Sequence, residues 1–120
     1  MGAEEKKEAS LICRNNHDLI VTIVNRGNAE LILNASKKAG AEGGTVIYGR
    51  GMGIHEKGSI MGIPIEPEKE IIFTIISKDK TREILSAITA AGNLDEPGTG
   101  VAFVINIQEV AGICHLLENV

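Results

Sequence analysis

The feature that most constrains the fold is a pair of β-branched runs that are apolar at odd and even positions alike. Residues 18–24 read Asp-Leu-Ile-Val-Thr-Ile-Val, and residues 70–77 read Glu-Ile-Ile-Phe-Thr-Ile-Ile-Ser. Because successive side chains of a strand point to opposite faces, such runs predict strands that are buried on both faces. Two further strands are predicted at residues 45–50 and 101–107, and a long glycine-bearing loop at residues 49–67.

Two amphipathic segments lie between these strands. The first is predicted to begin after Asn28, as its N-cap, and to end at Gly40. The second is predicted to be capped by Asp79 and to end at Gly92. The resulting order, β-α-β-β-α-β, indicates an α+β fold: a ferredoxin-like sandwich with two helices on one face of an antiparallel sheet.

The second face of this sheet predicts an oligomer. Two helices can cover only one face of four strands, yet the strands are apolar on both faces. A monomer would therefore expose a larger apolar patch than soluble monomers usually tolerate, and closed symmetry is the ordinary way to bury it. We favour self-association over the alternative, in which loop and tail residues cover that face.

Composition limits the classes of function. The 120 residues support one domain, with an N-terminal arm expected at residues 1–16 and the folded domain at residues 17–120. The arm has one short apolar patch at residues 11–13, which either packs as an extra strand or frays. A net charge of −4 and an aromatic content of 2% argue against nucleic-acid binding. No apolar run could span a bilayer, and the charged start argues against a signal peptide. With only Cys13 and Cys114, far apart in sequence, we expect reduced thiols and a cytoplasmic location.

Two glycine motifs at strand ends mark a candidate binding site. Gly49-Arg50-Gly51-Met52-Gly53 stands at the end of a predicted strand, and Gly98-Thr99-Gly100 directly precedes another. Glycine lets backbone N–H groups approach a ligand, and clustered N–H groups can hold an anion. Either motif alone is commonly just a turn, whereas the pair predicts a small-molecule site.

No arrangement of residues predicts catalysis. The chain has no P-loop motif and no serine in a nucleophile elbow. The three histidines, His17, His55 and His115, lie in a strand edge, the long loop and the tail. We therefore expect no enzyme activity and no catalytic residues.

In the order of its elements and in these motifs, the sequence resembles the P-II nitrogen-regulatory signal proteins. Thr45-Val46 leading into Gly51-Met52-Gly53 is similar to the strand and Gly-x-Gly at the base of the family's T-loop. Gly98-Thr99-Gly100, followed by the apolar strand that contains Phe103, is similar to the family's B-loop. The likeness covers about residues 17–112, and it implies a homotrimer whose sheets line the centre.

The resemblance also implies a regulatory role. Members of the family bind ATP or ADP in clefts between subunits, often with 2-oxoglutarate and Mg²⁺, and the ligand state resets the T-loop. The loop then docks on transporters, enzymes or transcription factors, and the proteins are not enzymes. For this chain, the implied effector is an adenine nucleotide (AMP, ADP or ATP), and a membrane transporter is the first partner class to test.

The residues implied in each role follow from the same likeness. The implied effector-binding residues are Gly51, Met52, Gly53, Ile54, Gly98, Thr99 and Gly100. Partner-binding residues are predicted as well from the composition of residues 50–64, where glycines favour a flexible loop and apolar side chains favour contact with a partner: Ile54, His55, Ile60 and Met61. The alternative is that the apolar side chains of this loop pack on the protein's own trimer.

The sequence departs from the family pattern where phosphates would bind. Its B-loop, residues 93–101, carries no lysine and two acids, and Ile54-His55 stands where Arg-Gln is usual. Residues 112–115 replace an arginine pair, and the T-loop is short and has no tyrosine for uridylylation. With fewer charge-assisted contacts, we expect additional phosphates to add little affinity, so that AMP or ADP competes well with ATP.

One alternative from another class stays open, a trimeric metal-binding protein of the related CutA-like type. Its ligands would come from His55 and Glu56 or from Cys114-His115. Because clustered His and Cys residues are scarce, we favour the regulator and predict no metal site. The metal content of the purified protein would distinguish the two functions.

Overall fold

Four long strands and two α-helices form the framework of the computed structural model, which describes residues 12–53, 59–60, 63–64 and 67–114. The elements in chain order are β1 (Ile12–Asn25), α1 (Ala29–Lys38), β2 (Thr45–Arg50), β3 (Ser59–Ile60), β4 (Ile63–Pro64), β5 (Glu68–Ser77), a 3₁₀ helix (Lys78–Lys80), α2 (Thr81–Gly92) and β6 (Gly100–Ala111). The long strands form an antiparallel sheet in the order β2-β5-β1-β6, and β3 pairs with β4. The predicted ferredoxin-like α+β fold is thereby confirmed.

The core lies between the helices and one face of the sheet. Even-numbered residues of the two central strands point toward the helices, so that Ile20 and Ile72 are fully buried. They belong to one cluster with Ile32 of α1 and with Ile84 and Ile88 of α2. The helices therefore cover a single face, as the element order predicts.

The opposite face, which we term the open face, carries the odd-numbered residues of the central strands. Val21 lies opposite both Phe73 and Phe103, and directly paired residues of neighbouring strands share a face. The exposed apolar residues on this face are Ile47, Phe73, Ile75, Val101, Phe103 and Ile105. Their exposure matches the second apolar face deduced from the strand pattern.

β1 and β6 extend well beyond the bounds that the sequence suggested, whereas β5 differs only in beginning at Glu68 instead of Glu70. β1 begins at Ile12, inside the segment expected to be an arm, and β6 continues to Ala111 rather than ending near Ile107. Beyond a register shift between Arg14 and His17, the two strands pair again from Arg14↔Glu109 to Ile12↔Ala111. β5 pairs with β1 only from His17 onward, so in the part of the chain that the structure describes this extension is a two-stranded ribbon.

Both predicted helix caps need correction. Asn28 does precede α1, but its side chain makes no capping hydrogen bond. Instead, Glu70 of β5 accepts hydrogen bonds from the backbone N–H groups of Gly27 and Ala29. Asp79 lies within the 3₁₀ helix, and Lys80 precedes α2 without a side-chain cap. The 3₁₀ turn displaces the start of α2 from the position that the local pattern indicated.

The two cysteines also differ from expectation. Cys13 and Cys114, predicted to be reduced thiols, are joined by a disulfide across 101 positions, with a Cα–Cα distance of 5.7 Å. The cause is the ribbon: it places Cys13 opposite Val110, and the turn after β6 brings Cys114 back to it.

Neither α1 nor α2, the α-helices of the described part, is long and apolar enough to cross a membrane.

Candidate functional site

The two glycine motifs meet at one end of the sheet. Because neighbouring strands run antiparallel, β1 and β2 end where β5 and β6 begin. Between them lies a cleft of about 410 Å³, which we term the glycine cleft. Its described lining residues are Ile23, Arg50, Gly51, Met52, Gly53, Lys69, Ile71, Gly98, Gly100 and Val101.

Gly100 is required by the fold itself. Its φ is +151°, and a Cβ atom there would lie 2.5 Å from the carbonyl oxygen of Ile23. Only glycine permits so close a passage of β6 along β1. This position is therefore explained without a ligand.

Gly51 differs from Gly100, since nothing in the described chain requires a glycine there. A Cβ atom at Gly51 would meet only the Cγ atom of Lys69, at an ordinary distance of 4.0 Å. The space left by the missing side chain therefore opens on the cleft. A backbone without a side chain at this place allows a ligand to approach closely.

Asn25, at the end of β1, ties the walls of the cleft together. Its Oδ1 atom accepts a hydrogen bond from Lys69 Nζ at 2.6 Å, and its Nδ2 atom donates to the Gly98 carbonyl oxygen at 3.2 Å. One side chain thus links β1, β5 and the turn before β6. Sequence reasoning missed Asn25, because only the assembled sheet brings it beside Gly98.

The charged residues among the described lining residues are both cationic. Arg50 follows Gly49 at the end of β2, and Lys69 lies near the start of β5. The sequence places Arg50 within the glycine motif but gives it no role in binding phosphate, and Lys69 belongs to no motif, because only the folded sheet brings the two cations to one cleft. Their side chains can favour an anionic ligand at the cleft.

Among the remaining predicted site residues, Thr99 is described and does not line the cleft. The Thr99 hydroxyl lies 2.9 Å from the carbonyl oxygens of both Asn93 and Glu96, to which its one proton is available, and so it stabilises its own loop. Ile54, His55 and Met61 lie outside the described residues. Ile60 belongs to β3, where its backbone lies opposite Ile63.

The metal-binding alternative gains no support from the described part of the chain, where no cluster of three or more His, Cys, Asp or Glu side chains could hold an ion. Cys114 is engaged in the disulfide. The other suggested ligands, His55, Glu56 and His115, lie outside the described residues.

Comparison with known protein families shows to which family the chain belongs. The family model for "Nitrogen regulatory protein P-II" matches residues 17–115, which is most of the sequence. The chain belongs to the P-II family. Proteins of the P-II family are regulators rather than enzymes, and the resemblance noted in the sequence is confirmed.

A solved P-II structure supports the same architecture. The chain matches the Arabidopsis thaliana PII protein bound to citrate with a TM-score of 0.62, 21% identity, and coverage of 78% of this chain and 79% of that one. At this identity the likeness establishes the P-II fold alone. No curated protein matches the chain.

Proposed function

We propose that this P-II family protein is a signal transducer that binds a small anionic effector in the glycine cleft. The observation that carries the proposal is the convergence of Gly51 and Gly100 on one cleft with Arg50 and Lys69. The Gly51 N–H already donates to the Pro67 carbonyl oxygen at 3.1 Å, so the glycine provides close approach of the backbone rather than a donor. Close approach at Gly51 and two neighbouring cations form a setting suited to a phosphate or carboxylate group. Family membership makes an adenine nucleotide (AMP, ADP or ATP) the first effector to test.

A homotrimer would complete this cleft. Ile23, Ile71 and Val101 line the cleft and also belong to the open face. A second copy packed on that face would border the bound effector, so that ligand binding and subunit contact become coupled. Three copies, as the family likeness implies, would bury the apolar residues of the open face.

The proposed output surface is the loop at residues 50–64. It starts at the glycine cleft, and Met52, which is 49% exposed, lies on the cleft wall. A ligand that contacts Gly51 or Gly53 would therefore act directly on the base of the loop. The proposed contacts with a protein target are Ile54, His55, Ile60 and Met61. Membrane transporters are the first class of target to test.

The effector proposal is tested by thermal shift with AMP, ADP, ATP, 2-oxoglutarate and bicarbonate, each added separately. A ligand that binds only the native state raises its Tm. We expect a rise with at least one adenine nucleotide, which Arg50→Ala reduces. Arg82→Ala, which removes an exposed arginine of α2, is the matched control and should retain the full rise. Absence of any rise with all five compounds contradicts the proposal.

Calorimetry then measures the contribution of the phosphates. Because the B-loop has no lysine, we expect ATP to bind less than about a hundredfold more tightly than AMP, a difference below about 2.7 kcal/mol. Arg50→Ala should narrow that difference further if the arginine contacts the additional phosphates. A larger preference for ATP in the wild type contradicts this expectation.

The partner proposal is tested by capture from membranes and cytosol with the wild type and with the double variant Ile60→Ser/Met61→Ser. We expect the variant to lose the captured protein, because the loop would then present less apolar surface to an irregular groove. Leu31→Ser, on the exposed side of α1, is the control and should capture normally. Equal capture by the wild type and by the double variant contradicts the proposed output surface. The metal content of the same purified protein tests the CutA-like alternative.

A further inference from the structure

The structure holds one covalent tie that the proposed signalling role does not use. Cys13 is 9% exposed and Cys114 is 3% exposed, and their disulfide connects the start of β1 to the turn after β6. We refer to residues 112–114 as the post-β6 turn. We infer that this disulfide is a redox-dependent latch, which holds the post-β6 turn against the sheet when oxidised and releases it when reduced.

The first argument is that the secondary structure around Cys13 is weak without the bond. Within residues 12–53, 59–60, 63–64 and 67–114, the ribbon from Arg14↔Glu109 to Ile12↔Ala111 has no third strand, since β5 reaches only to His17. Two-stranded pairing is at best marginal in water. The Arg14–Glu109 ion pair at 3.3 Å joins side chains that are 65% and 61% exposed, and such pairs stabilise little.

The second argument is that, among the contacts of the described residues, the turn has little to hold it apart from those of Cys114. Gly112 has a φ of +104°, which glycine adopts readily. It has no side chain that could pack against the sheet. The Cys114 sulfur also lies 3.4 Å from the Val110 carbonyl oxygen, which is a weak contact. The disulfide is therefore the strongest described link between the turn and the sheet.

The third argument is that the latch changes a surface. Ile113 of the post-β6 turn forms part of the wall of a second cleft, of about 680 Å³, at the end of the open face opposite the glycine cleft. His17 and Leu19 of β1 and Lys80 of the 3₁₀ helix line the same cleft. Release of the turn would remove that wall and uncover this end of the apolar face. The oxidation state of two sulfurs would thereby set the shape of a surface far from the effector site.

The chemistry is ordinary thiol–disulfide exchange. A thiolate of a dithiol reductant, either a small molecule or a protein, attacks one sulfur, forms a mixed disulfide and expels the other cysteine as a thiolate. The reductant's second thiol then displaces the attacked cysteine. The pair gains two electrons and two protons, and the reductant leaves as its own disulfide. Because both cysteines are nearly buried, the ribbon must open locally before the attack, which its two-stranded form permits.

The test combines thiol alkylation with amide hydrogen exchange on the full chain. After incubation with oxidised glutathione, we expect no alkylated cysteine and a monomeric chain on a non-reducing gel. After a dithiol reductant, we expect two alkylated cysteines. Exchange at residues 109–114 should then become at least about tenfold faster, while residues 71–76 in the central strand keep their protection.

Variants separate the latch from general destabilisation. Cys114→Ser should exchange like the reduced wild type and should not respond to the reductant. Arg14→Gln, which removes the ion pair of the same ribbon and keeps both cysteines, is the matched control and should exchange like the oxidised wild type. The inference is overturned by free thiols after oxidation, by a bond between chains, by equal exchange in both redox states, or by an Arg14→Gln ribbon as open as the reduced one.

Discussion

The carboxylate of Glu70 accepts a hydrogen bond from the backbone N–H of Ala29 at 3.1 Å, across 41 positions of sequence. The same oxygen accepts from the Gly27 N–H, so that one buried side chain of β5 caps the start of α1. An anion at a helix N-terminus is also favoured by the helix dipole. This contact fixes α1 to the sheet at the end where the glycine cleft lies.

We predict that Glu70→Ala lowers the free energy of unfolding by about 2 kcal/mol, because two backbone donors lose their acceptor. Glu70→Gln should lose less, since its amide oxygen can still accept. Urea denaturation of the three proteins measures the differences. Glu68→Ala, two positions away and exposed, is the control, and a loss equal to that of Glu70→Ala would show that the cap is not the cause.

The fold could be predicted because its main signals are local. The β-branched runs at residues 18–24 and 70–77 are enough to predict strands with two apolar faces. The helical spacing of apolar residues between the strands predicts the order of the elements. The caps could not be predicted in the same way. Asn28 has the right residue type beside α1, but Glu70 reaches that helix end only after β5 has paired with β1.

The residues of the candidate site could be predicted where their signal is local, and could not where it depends on contacts between distant parts of the sequence. Gly51 and Gly100 were found because glycine beside a strand is a signal within a few residues. Asn25 and Lys69 were missed, since their contact depends on two strands that are neighbours in the sheet and distant in sequence. The disulfide was missed for that reason too, because Cys13 and Cys114 become neighbours only through the ribbon of β1 and β6.

A second prediction concerns a hydroxyl in the core. Thr74 is fully buried on the helix-facing side of β5, and within the described residues its Oγ1 atom has no hydrogen-bond partner. Thr74→Val replaces this hydroxyl by a methyl group of similar size, and it should raise the free energy of unfolding by about 1 kcal/mol. The control is Thr89→Val. The hydroxyl of Thr89 donates to the Leu85 carbonyl oxygen at 2.8 Å, so its removal should not raise the free energy of unfolding. A gain for Thr89→Val and none for Thr74→Val would refute this explanation.

A third prediction distinguishes the two glycines of the cleft. Gly100→Ala should lower the free energy of unfolding by about 2 kcal/mol, because its φ is +151° and its Cβ would press on the Ile23 carbonyl oxygen. Gly51→Ala should change stability little and should weaken effector binding, because its methyl group would occupy the cleft. Thermal denaturation and calorimetry with the effector test both statements. Full effector affinity in Gly51→Ala would place the ligand elsewhere.

The last prediction uses two adjacent isoleucines of β5 that point to opposite faces. Ile75 is 43% exposed on the open face, whereas Ile76 is 4% exposed in the core. A glutamate at position 76 would be buried beneath the helices without a partner, and one at position 75 would be buried likewise if the open face is the subunit interface of the proposed trimer. Ile75→Glu should therefore prevent assembly and leave a folded single chain, while Ile76→Glu should prevent folding.

Light scattering and circular dichroism separate these outcomes. For the wild type at micromolar concentration we expect the mass of a trimer, and for Ile75→Glu the mass of one chain with an unchanged far-ultraviolet spectrum. Leu31→Glu, which places the same charge on the exposed side of α1, should remain trimeric. A wild-type mass of one chain would contradict burial of the open face in an oligomer, and a trimeric Ile75→Glu would mean that the subunits meet through another surface.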